Sequence, residues 1–555
     1  MTDRAYDKNT VWTHAVITPM APLAADHKAD ICVVGAGIAG LTTAYLLAKA
    51  GKSVIVLDNG AVGGGESGFT TAHITNALDR RWASLAKLHS ARDLRLAARS
   101  HTSAIETIER IVKEEEIDCD FRRVHGYLFT APGSSSSTLR EEIEAAHRAG
   151  LGSVHYVDRA PLLDFDTGPA VRFPDQAQFH IRRYLAGLSR AIERDGGKLY
   201  TLAHVVDVVE DEVPHKVVVK TARGHQVLAS EAVLATNSPF IPRISIHMKQ
   251  AGYRTYVIGL RMPRGAVPPG LYWDTDDPFH YVRLANVDGA DGPDEILIVG
   301  GEDHKTGQAS DADQRHARLE AWARERFTQA GEVLHRWSGE VMETVDGLAY
   351  IGRVKKDSRI LISTGDCGNG MTHGTIAGIV ISDLVQGHEN RFASLYDPTR
   401  INLSAAAVSE YIKENVNVAC QYASWLGAGE VHDASEIAPG SGAVVRRGLK
   451  KLAVYRDPAG QLHAMSAMCT HLGGIVSWNP AERSWDCRCH GARFEATGRV
   501  IRGPAKADLT PAPPLEAPAP AHAPAADGAT SARANDVVAV PVSAVSMSPQ
   551  SRPAS

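Results

Sequence analysis

The stretch from residue 29 to residue 58 constrains the fold of this chain more than any other segment. Two apolar runs flank the glycines Gly35, Gly37 and Gly40, which are spaced as G-x-G-x-x-G, and the second run ends at Asp58. In a strand–helix–strand unit these glycines allow a tight turn, close approach of a pyrophosphate, and close helix–strand packing. The helix N-terminus then favours the anion, and Asp58 can accept hydrogen bonds from ribose hydroxyls. The stretch predicts a dinucleotide-binding βαβ unit.

The length and charge of the chain limit the classes of protein it can belong to. A chain of 555 residues, 44% of them hydrophobic and 22% charged, is expected to form roughly two to four folding units. The formal net charge is −5 and no basic block is present, which argues against a nucleic-acid or membrane-surface partner. The start of the chain lacks a signal-peptide pattern, and its apolar runs are too short to span a bilayer. We therefore expect a soluble, cytoplasmic protein without membrane insertion.

The character of the sequence changes along the chain. Strand-like and helix-like stretches alternate up to about residue 396, as is typical of an α/β domain. Residues 401–424 have a helical pattern, and residues 429–509 contain short β-type runs separated by turn residues. The remainder is rich in Pro and Ala, a composition that cannot bury a core. We expect a flexible tail there, with the run 536–540 as a candidate edge strand.

A cluster of cysteines and histidines indicates a metal site. Three of the seven cysteines lie close together beside two histidines, whereas the other four are scattered, so a disulfide framework is not expected. Cys469-x-His471 and Cys487-x-x-His490 are separated by fifteen residues. Zinc and iron–sulfur sites both use two Cys and two His, but zinc motifs usually pair Cys with Cys and His with His. Here each loop supplies one of each.

The stretch from about residue 430 to residue 509 resembles Rieske [2Fe–2S] domains, both in these two loops and in the downstream GARF…G…GPA. The resemblance implies that Cys469 and Cys487 bind one iron and that His471 and His490 bind the other. Two neutral imidazoles give the site less negative charge than four thiolates would, which raises its reduction potential.

The segment departs from the respiratory Rieske pattern at several positions. Cys489 is kept, but the position of its disulfide partner is Gly474, so that disulfide cannot form. Two positions that donate hydrogen bonds to sulfur in the respiratory type are Ala492 and Phe494 here. Fewer donors stabilise the reduced cluster less. We predict a potential in the lower part of the ~−150 to +300 mV Rieske range.

Residues 30–397 resemble flavoprotein oxidoreductases of the D-amino-acid oxidase/dehydrogenase type, which includes the glycine and sarcosine oxidases. Besides the glycine-rich turn, the resemblance rests on GGGESGFTTAHIT, RRYLAGLSRAIERDGGKLYTLAHVVDVV, AVLATNS and RILISTGDCGNGMTHGTIAGIVISDLV. It favours FAD over NAD and implies a set of cofactor-binding residues: Gly35, Gly37, Ile38, Ala39, Gly40, Asp58, Ser67, Thr70, Thr71, His73, Val205, Gly365, Asp366, Gly370, Met371 and Thr372. Covalent attachment of FAD to His73 or Cys367 is an alternative to simple packing of these side chains.

The two resemblances together imply an α/β (α+β) Rossmann-like FAD domain with an interleaved substrate domain, followed by a small all-β Rieske domain. The expected order is an N-terminal extension (1–28), the oxidoreductase domain (29–398), a helical linker (399–428), the Rieske domain (429–510) and the tail (511–555). Within 29–398 we expect FAD-binding parts at about 29–90, 181–240 and 340–398, and substrate-domain parts at about 91–180 and 241–339.

The substrate side is less well defined by the sequence. Amino-acid-oxidising members of the family have a W-x-G-x-R-like segment whose arginine binds the substrate carboxylate, and here Val341 occupies that position beside Glu340. Glu340 therefore favours a cationic amine, unless it is a solvated surface carboxylate. His280, Tyr281 and His304, in two runs rich in His, Asp and aromatic residues, are candidates for acid/base or positioning roles, with loop or rim positions as the alternative.

A flavin accepts two electrons and a [2Fe–2S] cluster carries one at a time, so the combination suggests a two-to-one electron converter. The leading hypothesis is a dehydrogenase that oxidises an amine or amino-acid-like substrate and passes single electrons to a ferredoxin- or cytochrome-like acceptor. The alternatives are the reverse flow, in which the flavin performs a reduction, and an electron-transfer module without its own small-molecule substrate.

Overall fold

The computed structural model describes residues 10–13, 15, 17–130, 136–211, 216–240, 245–289 and 292–513. The expectations about residues 1–9 and about most of the C-terminal tail, with the candidate strand at 536–540, lie outside this part of the chain. None of the helices within it combines the length and the apolar character needed to cross a bilayer.

The described residues form nine α-helices and twenty-four strands. The helices are α1 (Ile38–Lys49), α2 (Trp82–Leu85), α3 (Ala91–Glu114), α4 (Ser137–Arg148), α5 (Ile181–Arg194), α6 (Ala312–Arg326), α7 (Gly370–Gln386), α8 (Ala393–Tyr396) and α9 (Ala405–Tyr422). The strands are β1 (His27–Val34), β2 (Val54–Leu57), β3 (His73–Ile74), β4 (Arg122–Phe129), β5 (His155–Val157), β6 (Ala170–Gln178), β7 (Lys198–Tyr200), β8 (Val205–Asp211), β9 (Lys216–Thr221), β10 (Gln226–Asn237), β11 (Gln250–Met262), β12 (Leu271–Trp273), β13 (His280–Gly289), β14 (Gly292–Lys305), β15 (Val333–Thr344), β16 (Tyr350–Arg353), β17 (Ile360–Thr364), β18 (Ser441–Arg447), β19 (Lys450–Arg456), β20 (Leu462–Ser466), β21 (Val476–Asn479), β22 (Ser484–Cys487), β23 (Arg493–Glu495) and β24 (Val500–Arg502).

The first sheet contains the predicted βαβ unit at its centre. Its order is β16-β17-β10-β1-β2-β7, with the hairpin β8–β9 added beside β10. Strands β1, β2, β7, β10 and β17 run parallel, and all four residues of β2 are buried. Parallel strands covered on both faces are typically continuous apolar runs of this kind. Helices α1 and α7 pack on each other, and both begin at the carboxyl ends of strands in this sheet.

The second sheet is built from two separated parts of the chain. Its order is β15-β11-β14-β13-β12-β4-β6-β3, with β5 paired to β6. Strands β3–β6 come from residues 73–178, and strands β11–β15 come from residues 250–344. Between these two parts the chain returns to the first sheet, so the second unit is interleaved with the first.

The C-terminal all-β unit contains a three-stranded sheet, β18–β20, and a four-stranded sheet, β21–β24. Its core includes the fully buried Trp485 and Phe494. The end of the connecting helix packs on this core. Tyr422 Oη donates to Leu472 O at 2.7 Å, and Trp425 Nε1 donates to Gly473 O at 2.9 Å. The segment between the units therefore supports the first cysteine–histidine loop.

Part of the N-terminal extension is built into the first unit. Val11 and Trp12 are buried, at 0% and 1% exposure, and Trp12 Nε1 donates to Thr70 O at 2.7 Å. Nothing in the sequence pattern indicated this contact, because the partner lies 58 residues away.

Candidate active site and iron–sulfur centre

A cavity of about 870 Å³ lies between the two sheets of the oxidoreductase part. One end is lined by the glycine-rich turn after β1, together with Asp58 and Val205, and the other end by Trp273 and Tyr281 of the second sheet. The volume lies in the upper part of the range for cofactor and ligand pockets, roughly 300–1,000 Å³. The cavity thus joins a dinucleotide-binding end to a substrate-sized end.

Local hydrogen bonds fix the backbone at the dinucleotide end of the cavity. Asp58 accepts from the backbone N–H groups of Ala36 at 2.7 Å and Gly60 at 2.6 Å. Ser67 Oγ accepts from the N–H of Ile38 at 3.0 Å. Gly35 has a φ of +110°, and a Cβ there would lie 2.3 Å from a backbone oxygen. The turn therefore needs glycine, as the fingerprint predicts.

Most of the predicted FAD-binding residues line this cavity: Gly35, Gly37, Ile38, Ala39, Asp58, Ser67, Thr70, Thr71, His73, Val205, Asp366, Gly370 and Met371. Gly40, Gly365 and Thr372 do not. A larger residue would not fit at Gly40 or Gly365, because its Cβ would lie within 2.5 Å of a neighbouring atom. Thr372 Oγ1 lies 2.8 Å from His101 Nδ1. These three residues support the cavity wall from behind.

The residues at this site fit FAD. The start of α1 lines the cavity, and the partial positive charge of a helix N-terminus there favours a diphosphate. The start of α7, at Gly370 and Met371, lines the same cavity. A helix N-terminus there stabilises negative charge on a reduced flavin ring. Cys367, one of the two candidates for covalent attachment, is buried against Thr344 and does not line the cavity.

The substrate end combines aromatic walls with carboxyl groups. Trp273, Phe279 and Tyr281 line it, and Tyr281 Oη lies 2.7 Å from Thr255 Oγ1. His73 lies between two of these rings, 5.7 Å from Trp273 and 5.8 Å from Tyr281. Burial lowers the pKa of His73 to about 3, so this imidazole is neutral at physiological pH.

Three acidic residues share this end of the cavity, namely Asp79, Asp303 and Asp366. Burial raises the pKa of Asp303 and of Asp366 to about 7. Burial and the neighbouring carboxyls raise the pKa of Asp79 well above its ordinary value. Asp79 and Asp303 were not among the predicted site residues, although Asp303 directly precedes the predicted His304 in the same acidic run.

His280 and His304 do not reach the cavity. His280 Nδ1 lies 2.8 Å from Asp274 Oδ2, and its ring stacks on Trp322 at 4.4 Å. His304 Nε2 lies 3.1 Å from Tyr256 Oη. Successive side chains of a strand point to opposite faces of a sheet. In β13 and β14 the cavity faces are therefore those of Tyr281 and Asp303, and the two histidines face away.

Glu340 lines the cavity with only 4% of its surface exposed, so the alternative of a solvated surface carboxylate is wrong. Its backbone N–H donates to Glu66 Oε2 at 2.7 Å. Burial, together with Glu66, raises the pKa of Glu340 to about 8. A Cβ placed on Gly491 would lie 2.8 Å from Glu340 Oε1. Glu340 thus separates the cavity from the second cysteine–histidine loop.

The four predicted metal ligands come together in the C-terminal unit. Cys469 and Cys487 are buried, and their thiols lie within hydrogen-bonding reach of each other. The imidazole rings of His471 and His490 are 5.0 Å apart. Both ring nitrogens of His471 are buried without a hydrogen-bond partner in the described part of the chain. Unsatisfied imidazole nitrogens beside two thiols fit a metal centre with sulfur and nitrogen ligands.

The two ligand loops have the same backbone hydrogen-bonding pattern. Gly473 N–H donates to Cys469 O at 3.0 Å, and Gly491 N–H donates to Cys487 O at 3.1 Å. A Cβ on Gly474 would lie 2.6 Å from Cys489 Sγ. Gly474 therefore faces Cys489 across the loops, at the position where the respiratory pattern has a disulfide partner.

A third histidine, not predicted from the sequence, covers the imidazoles of the two predicted ligands. His247 precedes β11 of the oxidoreductase part, is 8% exposed, and has a ring centroid 4.7 Å from that of His471 and 6.3 Å from that of His490. Its Nε2 has no hydrogen-bond partner among the described residues. The ligand loops thus face the oxidoreductase part through Glu340 and His247.

The fold and the two sites define a flavoprotein oxidoreductase with an iron–sulfur domain. Residues 30–384 match the FAD dependent oxidoreductase (DAO) family, and residues 427–514 match the Rieske [2Fe-2S] domain. The chain belongs to the FAD dependent oxidoreductase family and carries a C-terminal Rieske domain; its cofactors are FAD and a [2Fe–2S] cluster. The predicted fold class and cofactors are confirmed, which removes the zinc alternative.

The similar proteins reported next match either most of the chain or its oxidoreductase part. A putative Rieske 2Fe-2S iron-sulfur protein, YhfW of Bacillus subtilis (strain 168), is 30% identical over 503 residues, covering 89% of this chain and 96% of the relative. Gamma-glutamylputrescine oxidoreductase of Escherichia coli (strain K12) is 28% identical over 379 residues, 65% of this chain and 85% of that protein. Glycine oxidase from Geobacillus kaustophilus shares the fold, with a TM-score of 0.56 and 20% identity, over 68% of this chain and 99% of its own.

Proposed function

We propose that the protein is a dehydrogenase that oxidises an amine or amino-acid-like substrate and delivers the electrons singly to an external acceptor of the ferredoxin or cytochrome class. A C–H bond next to nitrogen breaks and a C=N bond forms, so that two electrons and two protons leave the substrate. Bound FAD supplies the two-electron acceptor, and the Rieske centre supplies the one-electron carrier. Two molecules of a one-electron acceptor are then reduced for each substrate molecule.

The observation that carries this proposal is the contact between Glu340 and Gly491. Glu340 lines the cavity, and Gly491 directly follows the ligand His490. A single layer of side chains therefore separates the proposed flavin site from the ligand loop. Such proximity supports direct passage of electrons between the two centres within one chain.

An amine is favoured over an α-amino acid by the charges at the substrate end. In the part of the chain that the structure describes, the arginines that line the cavity are Arg182, Arg499 and Arg502, and none of them belongs to the second sheet. That sheet instead contributes Asp303 and Glu340 beside aromatic side chains. A protonated amine interacts favourably with ionised carboxylates and aromatic faces, whereas these side chains offer a substrate carboxylate no positively charged partner. The similarity to an oxidoreductase named for an amine, gamma-glutamylputrescine, points the same way.

The residues at the substrate end have separate roles in the proposal. Asp303, when ionised, holds a cationic nitrogen. Tyr281 is fixed by its contact with Thr255 and orients the substrate through its hydroxyl and ring. His73 is neutral, so it packs beside Trp273 and Tyr281 without repelling a cationic substrate.

An anaerobic screen of amines and amino acids tests the proposal. We expect a cationic amine to bleach the flavin and then to produce the EPR signal of a reduced Rieske cluster. Reoxidation by a one-electron dye should be faster than reoxidation by oxygen. Absence of bleaching by any amine or amino acid would favour a pure electron-transfer module. Flavin reduction only after the cluster is reduced from outside would favour the reverse flow.

A further inference from the structure

One segment of the Rieske domain contributes to the wall of the FAD cavity. Arg499, Val500, Ile501, Arg502, Gly503, Ala505 and Lys506 all line it. The segment follows the strand that bears Phe494 and lies outside both ligand loops, so binding of the iron–sulfur cluster does not require it to face the cavity.

Arg502, at the end of β24, lies beside the loop of residues 63–69, which packs on the glycine-rich turn. Its Nε is 2.7 Å from Glu66 Oε1, its guanidinium carbon is 5.4 Å from the centroid of the Phe69 ring, and its Nη1 would lie 3.2 Å from a Cβ on Gly65. The same loop continues into Ser67, whose Oγ accepts from the N–H of Ile38 at the start of α1. Arg502 is therefore beside the helix N-terminus where a diphosphate would bind.

The following residues run along the dinucleotide half of the cavity. A Cβ on Gly503 would lie 3.2 Å from the backbone oxygen of Ser238. The backbone oxygen of Lys506 lies 3.3 Å from His204 Nε2, next to Val205. Val205 is the residue that the family resemblance places near the adenine. The segment thus extends from the diphosphate region to the adenosine region.

The charges of these residues suit a dinucleotide. Four lysine or arginine residues line the cavity within the described part of the chain, and three of them, Arg499, Arg502 and Lys506, come from the Rieske domain. The diphosphate of FAD carries two negative charges, and guanidinium groups bind such oxyanions through charge-assisted hydrogen bonds. Among the described residues of the oxidoreductase domain, the lysine or arginine that lines the cavity is Arg182.

We propose that residues 499–506 of the Rieske domain form part of the FAD site, with Arg502 binding the diphosphate and Lys506 closing the adenosine end. The FAD site is then assembled from both domains. Docking of the Rieske domain retains the cofactor as well as bringing the cluster close to it. This inference depends on FAD binding and on the docked arrangement, and it stands whichever substrate the enzyme oxidises.

The first test compares FAD affinity in full-length variants, by titrating FAD-stripped protein with FAD and following flavin fluorescence. We expect Arg502→Gln to raise the Kd for FAD about tenfold, as loss of one charge-assisted contact would. Arg447→Gln is the matched control, because Arg447 is an exposed arginine of the same domain that does not line the cavity. The EPR signal of the reduced cluster verifies that each variant is folded.

Glu66→Gln separates binding of FAD from an indirect effect through Glu66. If Arg502 binds the diphosphate, Glu66→Gln retains or strengthens FAD affinity, because it frees the guanidinium from its carboxylate partner. If Arg502 only positions Glu66, Glu66→Gln and Arg502→Gln weaken FAD binding alike, and the proposal is overturned. An unchanged Kd in a folded Arg502→Gln protein overturns it as well.

Hydrogen–deuterium exchange can be measured on the unaltered protein. It requires no substitution, so the folding defect of a variant cannot affect the result. Amides of residues 499–506 should exchange more slowly in the FAD-bound than in the FAD-stripped protein. Amides of β18–β20 in the same domain should be unaffected. Equal exchange of residues 499–506 in the two forms would refute a direct contact with FAD.

Discussion

Arg254 of the oxidoreductase domain and Glu482 of the Rieske domain form a buried ion pair, with 3.4 Å between Arg254 Nη2 and Glu482 Oε2 and exposures of 1% and 3%. Glu482 also pairs with Arg493 at 3.1 Å, and Arg493 pairs with Asp486 at 2.9 Å. Ser338 bridges Arg254 and Glu482 through its hydroxyl. Burial of these charges is costly unless all of them are paired, so the network favours one docked orientation of the two domains.

Removing the charge of Glu482 should therefore destabilise the docked protein strongly. Glu482→Gln leaves Arg254 without its carboxylate partner in a buried site, which typically costs about 3–5 kcal/mol. We expect the cluster's visible circular dichroism to be lost at a lower denaturant concentration. Glu325→Gln removes an exposed carboxylate paired with Arg326 and should leave the midpoint unchanged. Equal midpoints for Glu482→Gln and the parent protein would show that the pair does not hold the domains.

His247 should affect transfer to the cluster without affecting oxidation of the substrate. It contacts the predicted ligand His471 and lies outside the cavity lining. In His247→Phe we expect unchanged rates of flavin bleaching by substrate and a several-fold slower appearance of the reduced-cluster EPR signal after rapid mixing and freezing. The line shape of that signal should also change, because the ring beside the iron ligand differs.

The exposed His388, 64% accessible, provides the control for that experiment. His388→Phe should leave both rates and the EPR line shape unaltered. If His247→Phe also slows flavin bleaching, the histidine acts at the substrate side and the assignment to the electron path is wrong.

The pKa of Asp303 predicts how substrate affinity depends on pH. Burial raises this pKa from 3.8 to about 7; Glu343 also raises it, while Thr255, Arg315 and His280 lower it. A cationic amine needs the ionised carboxylate, so its KM should fall as pH rises from about 6 to about 8. Asp303→Asn should raise KM and flatten that profile, whereas Asp313→Asn on the exposed face of α6 should do neither.

The raised pKa of Asp303 also makes the free energy of unfolding depend on pH. The folded state keeps the Asp303 proton up to about pH 7, whereas the unfolded chain releases it near 3.8. The carboxyl therefore lowers the free energy of unfolding progressively across that window, and fully above it. Asp303→Asn should be more stable than the parent protein at about pH 8, and the difference should shrink toward about pH 4. A constant difference across this range would contradict the raised pKa.

The parts of the site that the sequence predicted are those set by local geometry. The turn at Gly35 requires a positive φ and close backbone contacts within one βαβ unit, and the loops of Cys469 and Cys487 are each closed by a hydrogen bond between residues four apart. Such spacings are visible along the chain. In the second sheet, the sequence indicated the runs that contain Tyr281 and Asp303. It did not indicate which side chains of β13 and β14 point into the cavity.

The contacts between the domains could not be predicted in this way. His247 meets His471, Arg254 meets Glu482, and Glu66 meets Arg502, and each pair is separated by more than two hundred residues. No local pattern distinguishes these side chains from other surface histidines, arginines and glutamates. Their roles arise only when the Rieske domain docks, which is also why the contribution of residues 499–506 to the FAD cavity is absent from any motif.

The reduction potential of the cluster should respond to restoring its missing hydrogen-bond donors. Ala492 and Phe494 are fully buried beside the second ligand loop, and Ala492 O accepts from the N–H of Cys487 at 2.8 Å. A hydroxyl at either position can donate to sulfur and stabilise the more negative, reduced cluster. We expect a parent potential in the lower part of the ~−150 to +300 mV range, and higher potentials in Ala492→Ser and Phe494→Tyr, with the double variant highest.

Ala496→Ser, two residues beyond Phe494, should leave the potential unchanged. Potentiometric titration followed by EPR measures all four variants against the parent, and a parent value near the upper end of the range would show that other groups supply the missing donors.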